Sequence, residues 1–150
     1  MSKIKHTGAL PFRFGDSGLE ILLITARRTG RWIVPKGYWT PRLKSYQSAE
    51  KEAYEEAGIE GLIGQDAIGI YEQKSLRSST ITPIMVFPLQ VTYWHGIWPE
   101  KHERRHGGSR RILPRRWWRK AFAFLSADLL EACKKNTRRC DEKTILRLNK

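Results

Sequence analysis

Residues 50–60 read Glu-Lys-Glu-Ala-Tyr-Glu-Glu-Ala-Gly-Ile-Glu. Glu52, Glu55 and Glu56 stand at i, i+3 and i+4, so a helix gathers these three carboxylates within roughly 100° of arc. Like charges so placed repel and weaken an isolated helix. A chain that folds this segment as a helix must bring positive charge to that face, and a cation held between the acids would reverse the penalty. The island stands out because the chain as a whole is basic, with 28 Lys and Arg against 15 Asp and Glu and a net charge of +13.

That charge invites a polyanionic partner such as a nucleotide, a phosphorylated small molecule, nucleic acid or a membrane surface. It is unevenly spread, however. Residues 101–120 hold nine Lys or Arg against the single acid Glu103, so the high isoelectric point belongs mostly to one stretch and does not decide function. At 150 residues, with 40% hydrophobic and 11% aromatic content, one folded domain is expected. No apolar run approaches membrane-spanning length, and Met1–Thr7 lacks the apolar core of a signal peptide, so no membrane partner and a cytoplasmic location are expected. Cys133 and Cys140 are not a C-x-x-C pair and read as reduced thiols.

Strands are expected over 8–14 and 19–26, joined through Gly15-Asp16-Ser17-Gly18, with the second nearly all apolar and therefore central in a sheet. Trp32-Ile33-Val34 reads as a short strand stopped by Pro35, followed by a loop from Lys36 to Lys44. A helix over about 46–57 follows, with Ser45 as its cap, Gly58 as its left-handed C-terminal residue and Ala49, Ala53 and Ala57 as a packing stripe. Residues 62–71 and 80–93 read as further strands around a turn at 74–79. Ala127–Lys135 reads as a second helix capped by Ser126. The order β-β-β-α-β-β-α predicts an α/β sandwich with a mixed sheet. Residues 101–120 show no helical or strand periodicity.

Acids in an E-x-x-E-E pattern usually mark nothing more than a solvated helix face. Three neighbours argue for more here. Gly37 lies fifteen residues before Glu52, Gly58-Ile59 closes the helix directly after the acids, and Arg27, Arg28, Arg31 and Lys36 line the approach to the loop. Acids suited to metal and bases suited to phosphate thus meet on one strand-loop-helix unit.

The segment Gly37–Ile59 resembles the Nudix box, G-x5-E-x7-R-E-U-x-E-E-x-G-U with U aliphatic. It matches at Gly37, Glu52, Ala53, Glu55, Glu56, Gly58 and Ile59 and departs at Leu43 and Lys51, where the pattern has an acid and an Arg. Gly8–Pro11, Leu19–Thr25, Arg31–Gly37, Val86–Leu89 and Trp98–Lys101 extend the resemblance over about residues 7–105, toward the branch related to diphosphoinositol polyphosphate phosphohydrolases. The resemblance implies a single Nudix domain over 1–150 with its core at about 7–135, and an α/β/α sandwich with a mixed sheet. It also implies a hydrolase that cleaves a phosphate anhydride with Mg2+ or Mn2+. Substrate classes in view are nucleoside diphosphate derivatives, dinucleoside polyphosphates and diphosphoinositol polyphosphates. The alternatives are RNA 5′-pyrophosphohydrolysis and a non-catalytic module that binds RNA or nucleotide.

The same resemblance makes Glu52 and Glu56 metal ligands, with the backbone carbonyl of Lys36 as third ligand beside Gly37, and makes Glu55 a proton acceptor or ligand of a second ion. Metal and phosphate chemistry agree with this choice, since hard cations prefer carboxylate oxygens and Arg grips phosphate through paired hydrogen bonds. Arg27, Arg31 and Lys36 are accordingly phosphate-binding candidates. Arg28 ranks lower, on the expectation that it points to the other face, and Lys74 and Arg77 read as ordinary surface charge. The clustered acids are expected to raise one another's pKa without metal. Trp32 reads as core or pocket wall, and Trp39 is open between base stacking and packing. His102 and His106, at i and i+4, read as a solvated basic turn. Trp117-Trp118 among arginines has the make-up of a nucleic-acid stacking platform, and the whole 101–120 stretch is atypical of the branch. It reads either as the product of a frameshift or as a basic insertion that binds RNA or an acidic partner.

Overall fold

The computed structural model describes residues 3–15, 18–75 and 77–108. The expected helix Ala127–Lys135, Trp117-Trp118, both cysteines and the basic stretch from residue 109 onward lie outside the described residues.

Strand β1 (His6–Gly15) is the hub. Its C-terminal half pairs antiparallel with β2 (Gly18–Thr25) and its N-terminal end pairs antiparallel with β4 (Lys36–Tyr38). Its other edge runs parallel to β7 (Ile81–Trp94), from His6 opposite Ile84 to Phe12 opposite Gln90. On the far side of β7 lie β6 (Gly69–Lys74) and β5 (Ile59–Ile63), both antiparallel to it. Toward its C-terminal end β2 pairs with β3 (Trp32–Ile33) on one edge and with β8 (His106–Gly108) on the other, so that Ile24 lies between Ile33 and His106. The described residues thus form the expected mixed sheet of an α/β fold.

Strand alternation sends apolar side chains to both faces. One cluster joins Leu10, Phe12, Ile21, Leu23, Ile84 and Val86. The other joins Ala9, Leu22, Ile24, Phe87 and Leu89 to Ala49, Ala53 and Ala57 of helix α1 (Ser45–Ala57). The small-residue stripe is fully sunk: Ala49 and Ala53 are 0% exposed, which brings the helix axis close to the sheet.

Three local expectations need correction. Ser45 is the first helical residue rather than the cap. Lys44 holds the extended N-cap position, and its N–H donates to the Gln47 side chain at 2.9 Å. The start of the expected loop is strand β4, because Lys36–Tyr38 finds backbone partners on β1. The expected strand over 62–71 is two strands, β5 and β6, on successive lengths of β7. Gly58 does end the helix in the left-handed region, at φ 66°, and its N–H donates to Tyr54 O.

Candidate active site

The loop between β4 and α1 is closed from within. The Trp39 indole N–H donates to Leu43 O at 2.8 Å, and Ser48 Oγ accepts from Thr40 N–H and donates to Tyr38 O. Trp39 is therefore a structural residue. The indole closes the loop on itself, and the buried Ser48 hydroxyl ties the loop to α1. Lys51 is exposed and pairs with Glu55 at 2.9 Å.

This loop and β4 carry Lys36 and Gly37 to the acidic face of α1. The Lys36 N–H donates to Glu56 Oε2 at 3.0 Å. Gly37 lies directly beneath Glu52, and a Cβ at that position would overlap the Glu52 carboxyl group. Any side chain at this position would push the Glu52 carboxylate from its place. Burial is the leading cause that raises the pKa of both Glu52 and Glu56, and Glu56 reaches about 7. Repulsion from Glu55 and Glu100 on Glu52, and from Glu100 and Glu52 on Glu56, acts in the same direction as a smaller cause, in line with the expectation for clustered acids. Burial also lowers the pKa of the Lys36 ammonium, against the pull of Glu56.

A second chain segment completes the site. Residues 95–105 run from the end of β7 to β8 as a strap pinned at both ends. His95 N–H donates to Gly58 O, Glu100 N–H to Glu55 O, and Arg105 N–H to Thr25 Oγ1. The strap delivers Arg104, whose side chain is only 6% exposed. Its guanidinium binds Glu56 Oε1 at 2.6 Å, Glu100 Oε2 at 2.6 Å and Thr25 O at 3.1 Å. Neither Arg104 nor Glu100 was marked as a site residue by the sequence. Their one local signal is an acid four residues before an arginine, whereas the contact that matters spans 48 positions to Glu56.

Beside this knot opens a cleft of about 500 Å³. Arg27, Arg31 and Lys36 line it as expected, together with Glu56. Arg28, Lys74 and Arg77 line it too, against their lower ranking, and so do Arg104 and His6. Arg28 faces the cleft because residues 27–29 form a turn, not a continuation of β2. Arg27 is exposed and bonded to Glu103 of the strap at 2.7 Å. Glu52 and Glu55 are not on the cleft wall among the described residues, and Trp32 is 42% exposed, not core.

Hard divalent cations suit the donors present: the carboxylates of Glu52, Glu56 and Glu100 and the Lys36 carbonyl. The carboxylate packed on Gly37 and the burial-raised pKa values mark negative charge that a cation would relieve. Among the described residues no three acids, histidines or cysteines are already drawn together as a cage. One oxygen of Glu56 is instead taken by Arg104.

The strand-loop-helix unit on a mixed sheet superposes on solved structures. A Nudix hydrolase from Nitrosomonas europaea aligns with a TM-score of 0.59 at 18% identity, covering 81% of this chain and 90% of that one. This chain is a Nudix-fold protein. Sequence likeness to Nudix hydrolases runs with it. Nudix hydrolase 21 of Arabidopsis thaliana is 34% identical over 102 residues, covering 65% of this chain and 51% of that protein. Diphosphoinositol polyphosphate phosphohydrolase 3-alpha of Mus musculus is 35% identical over 88 residues, covering 59% and 51%. The chain spans about half the length of these curated relatives. No protein-family model matches it. Gly37 packs against Glu52, Lys36 N–H donates to Glu56, and Glu55 is turned toward Lys51.

Proposed function

We propose that the chain is a hydrolase that cleaves a phosphate anhydride and depends on Mg2+ or Mn2+. The observation that carries this reading is a cleft lined by buried Glu56 together with seven cationic side chains: Arg27, Arg28, Arg31, Lys36, Lys74, Arg77 and Arg104. Such a wall favours a ligand with several phosphate groups, because each guanidinium can take two phosphate oxygens. The curated relative named as a diphosphoinositol polyphosphate phosphohydrolase supports that class, and nucleoside diphosphate derivatives and dinucleoside polyphosphates satisfy the same chemistry.

Glu52, Glu56 and the Lys36 carbonyl are the residues that would hold the metal. When bound, it polarises phosphate oxygens and lowers the pKa of water. The chain's own contribution is to place the diphosphate among Arg28, Arg31 and Lys36 and to offset its charge within a partly dry wall. Glu55, 36% exposed and held by Lys51, is the acid left to accept a proton from water.

The test is a screen of phosphate-anhydride substrates, including 5′-triphosphorylated RNA, with Mg2+ and with Mn2+. Glu52→Gln and Glu56→Gln should each abolish metal-dependent release of phosphate or nucleotide. Activity that survives in chelator refutes the reading. Binding that persists in Glu52→Gln, with no turnover of any substrate by the wild type and an affinity falling steeply with salt, would mark a binding module instead.

A further inference from the structure

Arg104 is the most fully engaged side chain near the cleft. Each of its three nitrogens donates to a different acceptor, and those acceptors come from three parts of the fold: Glu56 on α1, Glu100 on the strap and the Thr25 carbonyl at the end of β2. Glu56 and Arg104 are nearly excluded from water, with side chains 8% and 6% exposed. The guanidinium therefore stands as the counter-ion of two carboxylates, one of which the proposed function gives to a metal. The same side chain also lines the anion cleft.

An Arg bound to Glu56 Oε1 and a divalent cation on the same carboxylate disfavour one another. Arg104 takes one acceptor site on Oε1 and the Lys36 N–H one on Oε2, so a cation drawn to this carboxylate meets a like charge already held at hydrogen-bond distance, and the two repel. We propose that Arg104 is a built-in competitor of the metal: it binds the carboxyl groups of Glu56 and Glu100 in the metal-free protein, and a divalent cation displaces it. The displaced guanidinium then serves as a phosphate contact in the cleft that it already borders. Metal and anion are thereby coupled, because the cation frees the arginine that the anion uses. Coupling of this kind is reciprocal, so the anion raises metal affinity by the same factor. The strap permits the change, since its backbone bonds to Glu55 O and Thr25 Oγ1 are separate from the guanidinium. The inference rests on the metal-dependent reading above, at one point: that Glu56 is a metal ligand.

The experiment is calorimetric titration of Mn2+ alone into the wild type, Arg104→Gln and Arg104→Lys, repeated with saturating imidodiphosphate, a diphosphate that resists hydrolysis. Removing the competitor's charge-assisted bonds should tighten Mn2+ binding about tenfold in Arg104→Gln. Arg104→Lys, which keeps the charge but loses the fork, should fall between. Imidodiphosphate should tighten Mn2+ in the wild type and lose that effect in Arg104→Gln. Equal or weaker Mn2+ affinity in both variants, with unchanged circular dichroism, overturns the competition. An imidodiphosphate effect that survives in Arg104→Gln overturns the coupling. Absence of Mn2+ binding by the wild type overturns the metal-dependent reading together with this one, whereas wild-type binding unchanged by substitution overturns this one alone.

Discussion

Gly58 and Gly30 are the two glycines with positive φ among the described residues, at 66° and 65°, and they separate two costs that usually come together. A Cβ on Gly30 would meet nothing within 4 Å. Gly30→Ala therefore measures left-handed backbone strain alone, about 1 kcal/mol once the stiffer unfolded chain is counted. A Cβ on Gly58 would meet the Trp98 ring, with Cγ only 2.7 Å away. Cγ is the root of the indole, so the whole ring must move, and displacing a packed side chain adds roughly 1–3 kcal/mol. Gly58→Ala should then cost about 2–4 kcal/mol in all. Urea unfolding curves of the two variants and the wild type, read as midpoint shifts at constant m, give both values. Equal losses within a few tenths of a kcal/mol would refute the claim that Trp98 is seated against this cap. The comparison bears on the site because Trp98 begins the turn that carries Glu100 and Arg104.

Two further expectations concern the acids directly. In chelator, stability should fall as pH rises from 4.5 to about 7. Glu56 holds its proton up to about 7 in the folded chain against 4.5 ordinarily, so its contribution is fully present below 4.5 and is lost as pH passes 7. The 2.5-unit difference sets a ceiling of about 3 kcal/mol, and Glu56→Gln should flatten the profile; parallel profiles in urea titrations of the two proteins would assign the effect elsewhere. Gly37→Ala should cost little stability, since the Glu52 side chain can swing aside, yet weaken Mn2+ binding at least tenfold by calorimetry; unchanged binding would mean that the Glu52 carboxylate need not rest on the backbone there.

What the sequence made legible was whatever is encoded locally. The Ala49-Ala53-Ala57 stripe, the Gly58 terminus and the acids between them all follow from helical spacing, and each sits as expected. Strands β1, β2 and β7 were visible as apolar runs between turn residues. Strand β4 was not, because three residues carry no periodicity and Lys36–Tyr38 is extended only through its pairing with β1. The break between β5 and β6 was hidden for a similar reason: what divides them is their separate pairing along β7. At the site, the loop cations were legible from their nearness to the box. Arg104 and Glu100 were not, since nothing near them in the chain announces that Glu56 is their partner. Lys74 and Arg77 reach the cleft only because β6 lies along β7, and β7 along β1.

The parallel pairing of β1 with β7 also orders events in time. Strand β1 is made before β7, so its whole second edge waits for β7. The helix bearing Glu52 and Glu56 is made in between, when the sheet it covers is half built and Phe87 and Leu89 do not yet exist for it to rest on. The strap with Arg104 comes later still. Long-range parallel pairing is slow for the same entropic reason. Glu56 therefore spends its first moments without the arginine that binds it, and no fragment that stops short of β7 can hold the cleft's two walls together.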